Sequence, residues 1–288
     1  MRFTRVLYSD NDIIDDISNL INRYRNGTRT FSFVAAEDYF YIGNIGAFNH
    51  FFVKLSTPSV VSTGLKVEYF SGSTNTWAEA VETFDETDAF TQSGYVTFTP
   101  NINDAWEIAD CKYDAAGNVE FSNGRNQHQS GETIVYDKYW VRVSFANDLT
   151  PSTVLDWIGQ KFCDDDDIRA EYPDLLRSNV LDAFESGKTD WEEQCVKASE
   201  ILVQDLKKQN VISSKGQILE RNTFTLATVS KAAELIFTSF GDDYIDNRTQ
   251  ARNEYQSRLN SSIYDVDLNN DGILSRGEAG ARQGFMKR

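Results

Sequence analysis

Residues 138–145 read KYWVRVSF, and their alternation decides the architecture of the first half of the chain. Tyr139, Val141, Val143 and Phe145 fall on one face, and Trp140, Arg142 and Ser144 on the other, which is the two-residue period of a β-strand. Outward from this run the pattern repeats. Residues 30–34, 51–55 and 65–70 alternate in the same way, and Gly72 closes the last of them. Residues 95–99 are rich in β-branched and aromatic side chains and stop at Pro100. Turn-forming stretches at 71–75, 92–94 and 122–131 separate these runs. Most of the 19 Phe, 13 Tyr and 5 Trp also lie before residue 150. Short strands at this spacing predict an antiparallel β-sandwich, jelly-roll-like, over residues 29–150.

Residues 1–28 form a separate N-terminal segment, predicted helical. Ile13, Ile14, Ile17, Leu20 and Ile21 recur at helical spacing over residues 10–25, with Asp10 or Asp12 as cap and Asn26-Gly27 as the stop. Beyond Thr150-Pro151-Ser152 the periodicity again becomes helical, and residues 151–262 are predicted to form a bundle. Asp164 to Asp167 place four carboxylates before an apolar-periodic stretch, which suits a helix N-terminus. A second helix runs to about Lys208, with Thr189 and Glu192 as a capping box and Trp191, Cys195, Ala198, Ile201, Leu202 and Leu206 as its apolar face. A third covers residues 222–240 and a mostly polar fourth residues 246–259. The fold class expected is therefore α+β, strands first and helices second.

Composition narrows the function. The formal charge is −16; residues 1–150 carry 11 basic and 20 acidic side chains, and residues 151–288 carry 17 and 24. Both halves are acidic, which argues against coating nucleic acid. Cys111, Cys163 and Cys195 are too few and too widely spaced for a zinc ribbon or a disulfide framework, and are expected to be buried thiols. Residues 1–8 lack the apolar core of a secretory signal, and no run approaches the ~18 apolar residues of a membrane span, so a cytoplasmic product with no membrane partner is expected.

Residues 267–278, DLNNDGILSRGE, carry the most specific motif. Asp267, Asn269 and Asp271 stand at loop positions 1, 3 and 5, Gly272 at 6, Ile273 at 7, Leu274 at 8, Ser275 at 9 and Glu278 at 12. Calcium takes six to eight oxygens, and short side chains at alternate positions wrap round it. Gly272 permits the sharp turn, Ile273 offers its carbonyl, Ser275 ligates through water, and Glu278 supplies two oxygens. The segment resembles an EF-hand calcium loop, which implies Asp267, Asn269, Asp271, Ile273, Ser275 and Glu278 as ligands of a structural Ca2+. One loop rather than a pair, followed by a stretch interrupted by Gly280 and Gly284, suits a clamp better than a sensor. Residues 263–288 are set apart as this loop and the C-terminal tail.

Nothing in the sequence selects a catalytic set. His50 and His128 stand apart from any Cys or Ser motif, and no P-loop, GxSxG, HExxH or dinucleotide-binding glycine run occurs. No enzymatic activity is expected.

In the helical half a set of segments comes in order: Asp166, Ile168, Arg169, Glu171, Tyr172, Pro173, Asp174, Leu175 and Leu176; then residues 191–207, WEEQCVKASEILVQDLK; then residues 224–235, FTLATVSKAAEL; and the polar helix ending near Leu259. In this order and spacing the helical half resembles the head–tail connector (adaptor) proteins of tailed bacteriophages. The resemblance covers roughly residues 160–260. It implies a virion protein of the neck at the head–tail interface, assembled in the host cytoplasm. Such a protein docks as a homo-oligomeric ring on the portal, touches neck and tail proteins, and meets genomic DNA only as a polymer passing through its channel. The usual form of the family lacks both the N-terminal β domain and the calcium loop. Residues 67–72, Trp77, residues 93–98, Trp106 and residues 139–143 look like β-sandwich modules of phage tails and baseplates; their order is also compatible with a carbohydrate-binding jelly roll, although the aromatics suit a core better than a sugar platform. A second expectation therefore stands beside the first: a carbohydrate- or partner-binding module with a dockerin-like C-terminus.

Overall fold

The structure is a computed structural model. It describes residues 1–288 apart from 22–26, 36, 62, 102–103, 105, 125–126, 128, 262–264, 269–271, 273, 275–277 and 279–288. The fold is mixed, with two antiparallel sheets followed by a helical region. Its chain divides into two compact units, one made of Arg2–Gln160 with Asn269–Ile273, the other of Met1, Lys161–Leu268 and Leu274–Arg288.

In the β unit one sheet runs in the order β11 (Val119–Ser122), β10 (Ala109–Asp114), β12 (Glu132–Phe145), β4 (Tyr39–Asn44), β1 (Arg5–Asp10), β2 (Ile13–Asp16). To β12 is also paired β6 (Leu65–Ser71), and to β6 is paired β7 (Thr76–Glu79). The other sheet runs β3 (Arg29–Phe31), β13 (Thr153–Gly159), β5 (His50–Thr57), β9 (Gly94–Thr99), β8 (Glu82–Asp85). The strands foreseen at 30–34, 51–55, 65–70, 95–99 and 138–145 correspond to β3, β5, β6, β9 and the second half of β12.

The alternation of β12 works as its sequence demands. Val141, Val143 and Phe145 are buried in one hydrophobic cluster with Phe51, Val53, Val96 and Leu155 of the other sheet, so both sheets feed a common core. Trp140 points into a second cluster with Tyr41, Phe70 and Cys111, and its Nε1 donates to Ala109 O at 3.0 Å. The opposing residue is Gly43, where a Cβ would lie 2.6 Å from the Trp140 ring, so only glycine lets the indole lie flat on β4. A bulge bends β12 near Asp137: its φ is +53°, and its N–H donates to Asp110 Oδ1 at 2.9 Å.

The helix predicted over residues 10–25 is replaced by a hairpin. Asp10 pairs with Ile13 across Asn11-Asp12, whose φ values of 48° and 67° make a two-residue turn that matches strand twist. The isoleucine spacing fits a helix, but this turn folds the chain back first, and Ile13 ends 60% exposed. Among the described residues one helical turn follows, α1 (Ser18–Ile21), which buries Ile21 and is tied by Val6 N–H donating to Ser18 Oγ at 2.8 Å; residues 22–25 of the expected helix lie outside the described residues. The boundary foreseen at residue 151 also moves. Thr153–Gly159 is a central strand of the second sheet, and the helical unit begins at Lys161.

That unit holds α2 (Asp165–Glu171), α3 (Ser178–Phe184), α4 (Glu192–Lys208), α5 (Asn222–Ser239) and α6 (Ile245–Ser261). As foreseen, Asp164 caps α2: its side chain accepts from the Asp166 and Asp167 amides, and Asp167 accepts from Asp164 N. The Thr189–Glu192 box does not form. Trp191 is the residue preceding α4, Asp190 accepts from Glu192 N, and the Glu192 carboxylate is engaged instead by the buried Lys161. Polar α6 is held by a narrow stripe, Ala251, Tyr255 and Leu259, all buried at a spacing of four. Among the described residues no helix is long and apolar enough to cross a membrane.

Candidate calcium loop

After α6 the chain returns to the helical core through Val266, which is fully buried with Leu206, Ile218 and Leu259. Asp267 follows and is 0% exposed; Glu278, eleven residues on, is 6% exposed. The two are drawn together, because Leu268 N–H donates to Glu278 Oε1 at 2.9 Å. Loop positions 1 and 12 thus meet through the amide of position 2. Asn269, Asp271, Ile273 and Ser275 lie outside the described residues. Gly272, predicted to make the sharp turn, has φ +83°, the left-handed region that glycine enters at no steric cost.

These residues fit a hard cation. Burial disfavours the charge of each carboxylate unless positive charge or further donors compensate. A calcium ion supplies two positive charges and takes oxygen ligands, the donor type the loop provides. Asp267 and Glu278 would hold it at the two ends of the loop.

One participant escapes the motif. Gln217 lies fifty residues upstream in a short 3-10 turn, Lys215–Gln217, between α4 and α5. Its carbonyl accepts from Asp267 N at 2.8 Å, and its Nε2 donates to Leu268 O at 3.3 Å. The only trace in the sequence is the Ser214-x-x-Gln217 spacing of a capped turn.

His50 is fully buried, with Nδ1 3.0 Å from Asn49 Oδ1, and His128 lies outside the described residues. All three cysteines are free and buried; burial raises the Cys111 thiol, and burial together with neighbouring Cys163 raises that of Cys195. Trp106 is 4% exposed between Phe48, Phe98 and Tyr139. Trp77 is half-buried against Phe121, with the Arg142 guanidinium 4.9 Å from its ring centre. Trp106 therefore presents no open face of the kind that stacks a sugar.

No protein-family model matches this sequence, and no curated protein is significantly similar to it.

Proposed function

We propose that this chain is a structural virion protein of a tailed phage, a head–tail connector that docks as a ring on the portal and lines part of the DNA channel of the neck. The observation that carries the reading is the order of elements in the helical unit. A short capped helix, two long helices and a long polar one stand at α2, α4, α5 and α6, close to where the resemblance requires them. The net charge of −16 supports it, since an acidic wall repels phosphates and lets DNA slide. The two antiparallel sheets with their common core read as a jelly-roll-like β-sandwich added to the connector. The loop at residues 267–278 reads as a calcium clamp within the same assembly.

Electron microscopy with mass determination tests this on the full chain, with calcium and with chelator, alone and mixed with the cognate portal. Rings, or a second ring on the portal, are expected. A monomer in every condition overturns the reading.

A further inference from the structure

Gln217 is 6% exposed, and it is tied at both ends of its side chain. Its Oε1 accepts from Ser213 N (2.6 Å), Ser213 Oγ (2.9 Å) and Ser214 N (3.1 Å), which closes the turn on itself. Its Nε2 and its backbone carbonyl face the other way, to Leu268 O and Asp267 N. Val211, Ile212, Ile218 and Leu219 flank this turn and are buried, three of them in the same cluster as Val266. The turn is therefore anchored on both sides in the core that also holds the start of the loop.

We infer that Gln217 is a positioning residue for the calcium loop, presetting the backbone of residues 267 and 268 before an ion arrives. Those two residues bear the first ligand and the amide that orients the last, so fixing them fixes the separation of Asp267 and Glu278. A loop ordered in advance gives up less conformational freedom on binding, and that difference appears as affinity. Paired calcium loops brace each other; here residues 267 and 268 are braced by the turn at 213–217. The direction of coupling follows. Calcium held at residues 267–278 also restrains the connection between α4 and α5 through the same hydrogen bonds.

The inference rests on the calcium reading of the loop, and the experiment separates the two. Calcium is titrated by calorimetry into the full chain, and terbium luminescence reports occupancy of the loop. The parent protein binds, and Glu278→Ala abolishes binding; a parent that binds neither ion overturns the calcium reading itself. Gln217→Ala, which removes the Nε2 hydrogen bond, weakens calcium about fivefold. Ser213→Ala also loosens the turn but leaves both Gln217 contacts to the loop, so it loses thermal stability and keeps the parent affinity. Equal affinity in Gln217→Ala and the parent, or equal weakening in Ser213→Ala, overturns the positioning role. Should Gln217→Ala not fold, hydrogen exchange on the parent decides. The Asp267 amide, which donates to Gln217, is expected to be protected in chelator as well as in calcium, and rapid exchange in chelator overturns the inference.

Discussion

Glu68, buried in the β unit, keeps its charge, whereas Asp165, half-buried in the helical unit, gives it up near neutral pH. Glu68 is 6% exposed, and burial alone would raise its pKa. Arg142 overcomes this with bonds of 2.6 and 3.1 Å, Lys66 adds a third contact at 3.2 Å, and the carboxyl is left below its ordinary range. The arginine is itself fixed between the rings of Tyr39 and Trp77. Asp165 has no comparable cation. Burial pushes it up, Glu192 pushes it further, the amide of Trp191 opposes them, and it reaches about 7. Asp167 follows the same path to about 6, through burial and Asp164, although Arg221 partly offsets them. Both units are acidic in sequence, so net charge does not set the sign of these shifts. The balance at each carboxylate between burial and its neighbouring charges does, as Glu234 shows: it is buried in the helical unit yet held low by Lys231 and Arg252.

The cores offer the harshest test of whether the contrast is confined to charge. Each unit has a fully buried tryptophan whose indole N–H donates to a backbone carbonyl, Trp140 to Ala109 and Trp191 to Leu175. Trp140→Ala and Trp191→Ala should each cost about 3–5 kcal/mol by denaturant titration, with hydrogen exchange locating the loss in the unit that carries the change. A cost below about 1 kcal/mol at either position would mean that the two cores are built differently as well.

Sterics give the next largest effect, and it belongs to the sheet. Gly43→Ala drives a methyl into the Trp140 ring, which is enclosed and cannot swing away, and about 1–3 kcal/mol should be lost from the β unit. Gly43→Ala combined with Trp140→Leu should recover part of that loss, because the clash is removed with the ring. Additive costs in this double-mutant cycle would show that the close approach is not the cause.

The units also differ in how plainly they can be read from sequence. Helices α4, α5 and α6 fall within a residue or two of the foreseen bounds; α6 buries a single stripe, whereas α5 is buried on most sides. The sheets yield only part of their strands, β3, β5, β6, β9 and the second half of β12. Tyr39–Asn44 is buried from Phe40 to Asn44 on both faces, so it has no alternation to detect. Thr153–Gly159 was hidden by Pro151, which marks a turn and not the end of the β unit. The isoleucines of residues 13–21 matched a helix, and the competing signal, two residues in the left-handed region at Asn11-Asp12, is a property of the turn and not of period. The loop at residues 267–278 shows both limits together. The residues proposed as its calcium ligands form a local motif that can be counted off in sequence, whereas Gln217 meets Asp267 and Leu268 only through the tertiary fold.

The gentlest test returns to the two carboxylates and asks for opposite signs. Asp165 has a folded value of about 7 against an ordinary 3.8, so the folded chain holds the extra proton. Its stabilisation is complete below about pH 4 and disappears as pH rises through about 7. Asp165→Asn keeps an oxygen for the Trp191 amide and removes the charge, so the variant should exceed the parent by about 1 kcal/mol at pH 8 and match it near pH 4. Glu68 has the reverse linkage. Its contribution is present above its unfolded value near 4.5 and is lost as pH falls through the lowered folded value. Glu68→Gln should therefore destabilise the β unit by about 1 kcal/mol at pH 7, and the deficit should shrink in acid. Denaturant midpoints for both variants at pH 4, 6 and 8 provide the comparison. If the two lines slope the same way, Arg142 and Lys66 do not hold Glu68 ionised, and the distinction drawn between the two carboxylates fails at its most sensitive point.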